Sequence, residues 1–311
     1  MRKPNDATVQ PCVCDAHVSA SAHGRAPDRT SAYAPTPAHT PLPTHNPPSH
    51  GYTPVMYTIC ANTIADAHES AIKYILNNGR EVVTEDGETT VQAQPMTLVV
   101  KSPHSKNRLY GKIPFGKKFA DEYSNSLLHG NHDNQSQFEY DYHGRLFHWC
   151  VENENIAIDQ VEYLIRKLRD QKTSRRAIAT TWIPTIDENV KDVPCLQFIQ
   201  VWVEPGTSDL NMCAAFRSND FILALGQNMY ALTDLQNYIA GRLQLRMGTY
   251  THIAVIPHIY VIRDASIVSD ICENGKYVSP PRAQVCVHCK TCDLVGTATT
   301  IKEIFRGFGL Q

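Results

Sequence analysis

The sequence predicts an α+β protein with one main sheet covered by helices. Strand-like and helix-like segments are interleaved without a regular βαβ rhythm, and no internal repeat is visible. The stretch from 196 to 216 reads as successive short strands joined by a tight turn, which suggests an antiparallel meander. At 311 residues the chain can hold one large domain or two ordinary ones and bury a substantial core.

From Met1 to about Tyr52 the chain is rich in Pro, Ala, His, Thr and Ser and holds about half of its 19 prolines. Such a segment lacks the aliphatic surface needed to offset its ordering entropy. Two readings fit: a disordered extension over residues 1–54, or a translation start upstream of a natural one near Met56. The folded unit is expected from residue 55. Ile64, Ala67, Ala71, Ile72 and Ile75 have helical spacing and predict a helix over Ala61–Asn78, with Gly79 as its C-cap. Strands are expected over Glu81–Val83 and Gln94–Val100, and a helix over Phe119–Leu128. A longer helix, Ile158–Leu168, has Val161, Leu164, Ile165 and Leu168 on one face and Asp159 near its N-terminus, where the dipole favours a carboxylate. Strands over Ala177–Trp182, Leu196–Glu204 and Leu210–Phe216 follow, then a buried helix over Asn228–Leu243 and a last strand over Tyr250–Val255.

A formal net charge of −2 gives no broad field for nucleic acid or membranes, so a bound anion needs a local basic cluster. The apolar runs are too short to span a bilayer and the N-terminus lacks the apolar stretch of a secretory signal, which predicts a cytoplasmic protein. In that setting the ten cysteines point to metal binding, catalysis or buried thiols rather than a disulfide framework.

Three short segments carry the informative chemistry. Ser174-Arg175-Arg176 places two guanidinium groups at a helix–strand junction, where they match phosphate oxygens; the same tripeptide also suits a solvated surface. In Val193-Pro194-Cys195-Leu196-Gln197 a cysteine opens an apolar strand; it is either a core thiol or, beside positive charge, a nucleophile. Phe216-Arg217-Ser218-Asn219-Asp220 ends a strand, and Asn228 follows near a helix start. Arg217 and Ser218 suit a phosphate, and an Asn amide complements the N3–H and O4 of uracil, although a lone Asn there also reads as a helix cap.

Taken together, Asp159-Gln160, Ser174-Arg175-Arg176, Trp182, Pro194-Cys195, Arg217-Ser218-Asn219-Asp220, Asn228 and His258-Ile259-Tyr260 stand in the order and spacing of the thymidylate synthase family. The resemblance runs from about Tyr57 to Asp264. Pro194-Cys195-Leu196-Gln197 and Gly248-Thr249-Tyr250-Thr251-His252-Ile253 look most like its archaeal-type branch. It implies that family's fold, with residues 55–265 as the catalytic domain and 266–311 as a C-terminal segment packed on it or appended to it.

The resemblance also implies roles. Cys195 would attack C6 of dUMP, activating C5 to capture a methylene unit from a reduced pterin, either methylene-tetrahydrofolate or a methylene-tetrahydromethanopterin-type carrier. Arg217 and Ser218 would hold the 5′-phosphate, with Arg217 also favouring the Cys195 thiolate. Arg175 and Arg176 match a second phosphate-binding pair, which in the family dimer reaches into the partner's site; a monomer and a homodimer both stay open. Asn228 would read the base, His258 and Tyr260 the sugar 3′-hydroxyl, and Asp220 the pterin. Tyr142 matches the tyrosine involved in proton removal from C5, and Glu122 the glutamate that polarises O4. The sequence departs from the family at Leu196, where His is common, and in Ala224-Leu225-Gly226-Gln227-Asn228, which lacks the usual proline. For the N-terminal loop arginine, Arg80 and Arg108 are the candidates.

Beyond the matched region lie Cys272, Cys286, Cys289 and Cys292, with His288 inside the second spacing. Four thiolates could bind zinc or an iron–sulfur cluster in a structural role, or stay reduced. The functional expectation is reductive methylation of dUMP to dTMP. The alternatives are a pyrimidine-nucleotide hydroxymethylase acting on dUMP, dCMP or CMP, and a non-catalytic nucleotide-binding or regulatory protein centred on the cysteine cluster.

Overall fold

The computed structural model describes residues 56–130, 141–151 and 156–272. Its first strand, β1 (Tyr57–Ala61), takes the residue at which the predicted helix would begin. The helix α1 starts three residues later, Ile64–Asn78, because the Thr63 side chain caps it by accepting from Asp66 N. Gly79 ends α1 with φ −74°, so no left-handed turn requires it. What does require glycine is close approach: a Cβ there would lie 2.5 Å from Val91 Cγ1 and 2.6 Å from Ile75 O.

The strands β2 (Arg80–Val83) and β3 (Thr89–Gln92) form a hairpin, and β4 (Met96–Val100) follows. Next come α2 (Lys117–His129), the short α3 (Tyr142–Phe147) capped by Asp141, and a separate two-stranded ribbon, β5 (Trp149–Val151) and β6 (Ile156–Ile158). Asp159 accepts from Glu162 N to start α4 (Gln160–Asp170), whose buried face is the predicted Val161, Leu164, Ile165 and Leu168. Then follow β7 (Ile178–Thr180), α5 (Pro184–Asp187), β8 (Leu196–Val203), β9 (Asp209–Asp220), α6 (Leu225–Leu243), β10 (Arg246–Ile259) and α7 (Ala265–Ile271).

Eight strands form one mixed sheet in the order β1-β4-β10-β9-β8-β7, with β3 on β10 and β2 on β3. The expected meander is present in β7, β8 and β9, which pair antiparallel. It stops there, because β10 lies parallel to β9 after the chain crosses over through α6. One βαβ unit is thus embedded in the α+β fold, and it brings the ends of β9 and β10 side by side: Ser218 pairs with Ile256 and Asp220 with His258.

Strand registers sort the side chains between two faces. Ile199, Ala214, His252 and Leu98 lie in one cross-strand row, and Val201, Met212, Tyr250 and Val100 in the next; all are buried in the core, which α1, α4 and α6 pack against. The other face carries Phe198, Ala215 and Ile253 in one row and Gln200, Cys213, Thr251 and Val99 in another, and apart from Ala215 these are half-buried. The body continues past residue 265, since Val268, Ile271 and Cys272 join the same core. Among the described residues no helix is long and apolar enough to cross a membrane.

Candidate active site

Cys195 stands where a loop enters β8, and its carbonyl accepts from Arg217 N at 2.8 Å. The Arg217 side chain turns back onto that loop, donating through Nε to Pro194 O (3.2 Å) and through Nη2 to Val193 O (2.7 Å). A fixed cation is thereby held beside the cysteine, with further N–H donors left for an anion. From the other side, the Tyr142 hydroxyl accepts from Leu196 N at 3.0 Å. Tyr142 is the first residue of α3, and that helix is anchored by Arg145, which donates to Thr181 O and to both oxygens of Asp187 at 2.8–3.0 Å.

Asn228 is the fourth residue of α6 rather than its cap. It is buried, and its Oδ1 accepts from the Tyr123 hydroxyl at 2.8 Å. With Leu127, Tyr142, Leu196, Phe216, Ala231 and Leu232 these two side chains line a small cavity of about 10 Å³, which Leu196 places one residue along the chain from Cys195. A larger cavity of about 470 Å³, between Ile158, Tyr163, Arg166 and Ile178, contains none of these residues and lies off the chemistry.

At the paired ends of β9 and β10, His258 Nδ1 lies 3.1 Å from Ile256 O and 3.3 Å from Ser218 Oγ. Since a carbonyl only accepts, the proton sits on Nδ1 and Nε2 is left as an acceptor. Burial holds His258 below its ordinary pKa, opposed by the bond to Ile256 O, so the ring is neutral at pH 7. The Tyr260 ring meets it edge-on at 5.1 Å. Asp220 is held inside the chain: Oδ1 accepts from Ile222 N and Leu223 N, and Oδ2 from Arg263, whose guanidinium also covers Tyr260 at 4.2 Å.

Underneath, His68 on α1 lies 2.6 Å from Phe221 O, and His252 lies 3.0 Å from Asn219 Nδ2. The fit around His68 explains the missing family proline. Gly226 has no room for a Cβ, which would lie 2.9 Å from His68 Nδ1, so a pyrrolidine ring is excluded there.

The chain places Arg217 and Tyr142 around the loop at Cys195 and Leu196, Asn228 on the cavity it shares with Tyr142 and Leu196, and Ser218, Asp220, His258 and Tyr260 at the paired ends of β9 and β10. It does not bring Glu122 there: that side chain is 64% exposed on α2 and faces Lys118 at 3.8 Å. The correction follows from helical phase, since Ala120, Ser124 and Leu127 form the buried stripe of α2 and Tyr123, not Glu122, lies beside it. Tyr123 carries no motif of its own in the sequence, and the stripe beside it is its signal. Arg175 and Arg176 are also remote from Cys195. They are exposed beyond β7, where Ala177 O pairs with Val201 N, roughly 17 Å along β8 from its first residue.

Arg108 is committed elsewhere, bonding Asp234, Thr233 Oγ1 and Tyr230 O on α6, and Arg80 is exposed on β2. Cys272 is a buried thiol whose pKa burial pushes up. Among the described residues no group of three or more His, Cys, Asp or Glu side chains is placed to hold a metal ion. Cys286, His288, Cys289 and Cys292 lie outside the described residues.

Cys195 thus stands beside a fixed guanidinium, and the Tyr142 hydroxyl takes the N–H of the next residue. The family model for thymidylate synthase matches residues 116–285. Three proteins bearing the name "Putative thymidylate synthase" are similar along most of their lengths. The Methanocaldococcus jannaschii protein is 40% identical over 214 residues, covering 67% of this chain and 93% of the relative. The Methanosarcina barkeri protein is 33% identical, covering 64% of this chain and 88% of its own length, and the Methanococcoides burtonii protein 35%, covering 65% and 88%. The chain belongs to the thymidylate synthase family.

Proposed function

We propose that the protein methylates C5 of dUMP to give dTMP, with a methylene-tetrahydropterin supplying both the methylene unit and the hydride that reduces it to methyl, and so ending as a dihydropterin. The observation that carries this reading is the Arg217 guanidinium fixed on Val193 O and Pro194 O beside Cys195. A cation there favours the thiolate, and its remaining donors suit the nucleotide phosphate next to Ser218. Attack of the Cys195 sulfur on C6 moves the C5–C6 electron pair toward O4, and C5 becomes nucleophilic. The Asn228 amide is set to donate to O4, where that charge develops. Tyr142, held at the first residue of β8, is the proposed participant in loss of the C5 proton. His258 Nε2 accepts the sugar hydroxyl proton, with Tyr260 beside it.

Asp220 is the proposed pterin contact through the carboxylate lone pair that Arg263 leaves free. This fits folate-type and methanopterin-type donors alike. Arg175 and Arg176 lie too far from their own Cys195 to complete its phosphate site, and the half-buried apolar face of the sheet is a surface for a second copy, so we assign the pair to the partner's nucleotide in a homodimer.

The product decides the reaction. Incubated with dUMP and either methylene-tetrahydropterin, the protein is expected to return a nucleotide heavier by one methyl group in its mass spectrum. Gain of a hydroxymethyl group overturns the synthase reading in favour of the hydroxymethylase.

A further inference from the structure

A carboxylate only accepts, so Asp220 alone can read no more than a single donor on a pterin ring. The pyrimidine edge of a reduced pterin presents two groups side by side, the N3–H donor and the 4-oxo acceptor. Reading both takes a carboxylate oxygen with a fixed N–H next to it. Arg263 is placed to supply that N–H. Its Nε donates to Asp264 Oδ1 at 2.9 Å and its Nη2 to Asp264 Oδ2 at 2.6 Å, and Nη2 also donates to Asp220 Oδ2. The Asp264 side chain is only 3% exposed, so the fork is anchored in the interior, and the guanidinium lies over the Tyr260 ring at 4.2 Å. A guanidinium only donates and an ionised carboxylate only accepts, so none of these bonds can reverse.

Both Nη2 protons are thereby used. The guanidinium is planar, and with the Nε and Nη2 edge on Asp264, one Nη1 N–H runs parallel to the Nη2 N–H that points at Asp220. Nη1 bonds to none of the described residues. Asp220 Oδ1 is filled by Ile222 N and Leu223 N, whereas Oδ2 takes Arg263 alone and keeps a lone pair. A free donor and a free acceptor therefore stand next to each other on two partly exposed side chains. We infer that Arg263 and Asp220 together bind the donor by the edge of its pterin ring, Arg263 Nη1 donating to the 4-oxo oxygen and Asp220 Oδ2 accepting from N3–H; this rests on the proposed assignment of Asp220 to the pterin. The contact is made to the ring and not to its tail, so it is the same for folate-type and methanopterin-type donors. A 4-amino pteridine reverses both groups: its N3 is a bare acceptor facing Oδ2, and its 4-amino group sets N–H against N–H at Nη1.

The test is equilibrium binding, with dUMP present, of 6-methyltetrahydropterin and of its 4-amino counterpart to the full chain and to its Arg263→Lys variant. These probes carry the ring without a tail. Lysine keeps a cation between Asp220 and Asp264 but cannot present two parallel N–H groups. The unaltered chain is expected to prefer the 4-oxo ring, and Arg263→Lys is expected to reduce the ratio of the two affinities by about tenfold or more. A purely structural role for Arg263 would weaken both rings together and leave the ratio unchanged, which overturns the inference while leaving Asp220 as a pterin contact. If the unaltered chain binds neither ring, the pterin assignment itself falls. Arg263→Met/Asp264→Leu, which leaves no buried carboxylate unpaired, provides the same comparison should the Lys variant not fold.

Discussion

Replacing Arg145 by Ala is expected to lower the unfolding free energy by about 3–5 kcal/mol. The Arg145 and Asp187 side chains are 8% and 0% exposed, and two bonds of 2.8–3.0 Å join them in a fork. Removal of the guanidinium leaves a carboxylate in the interior with Ile183 N as a backbone donor. The pair ties α3 to the segment after β7, so its loss also loosens Tyr142 from Leu196 N. Urea unfolding of Arg145→Ala checks the magnitude. The double variant Arg145→Met/Asp187→Leu, which leaves no charge behind, is expected to recover most of the loss. A single variant within about 0.5 kcal/mol of the parent would show the pair to be solvated.

Stability is expected to fall by about 4 kcal/mol between pH 7 and pH 5. Burial lowers His68 to a pKa of about 4 and His252 to about 3, from 6.5. Below pH 6.5 the unfolded chain takes up two protons that the folded chain refuses. Each histidine then costs about 1.4 kcal/mol per pH unit, until His68 itself protonates near 4 and His252 near 3. The sign is therefore loss of stability with acid, and the window above pH 5 precedes ordinary carboxylate titration. Urea midpoints measured between pH 5 and 7.5 read it directly. A flat profile would mean that the two rings are hydrated or charged in the folded state.

The longer helices α1, α2, α4 and α6 were legible because their cores repeat in short range, whereas α3, α5 and α7 are too brief to show a period. Val161, Leu164, Ile165 and Leu168 on α4 declare a face without reference to anything distant, and Asp159 marks where it begins. The parallel pairing of β9 with β10 was not legible, since two strand-like runs separated by a helix carry no local mark of direction. For the same reason β1 and β3, short and half apolar, passed as loop. In the site, the residues that announce themselves are those with uncommon chemistry at strand ends: Cys195, Arg217, Ser218 and His258. Tyr123, Arg145 and Arg263 act through partners about 40 to 105 residues away, at Asn228, Asp187 and Asp220, so no window along the chain contains both halves of any pair. Glu122 illustrates the converse: a plausible residue type one position out of helical phase ends in solvent.

The central claim is covalent attack by Cys195 on the base, and trapping tests it most directly. The chain incubated with 5-fluoro-dUMP and a methylene-tetrahydropterin, then denatured, should carry the added mass of the nucleotide and donor on the peptide containing Cys195. Cys195→Ser should carry none and turn over no dUMP. An adduct that persists in Cys195→Ser, or turnover unchanged by that substitution, would remove Cys195 from the mechanism.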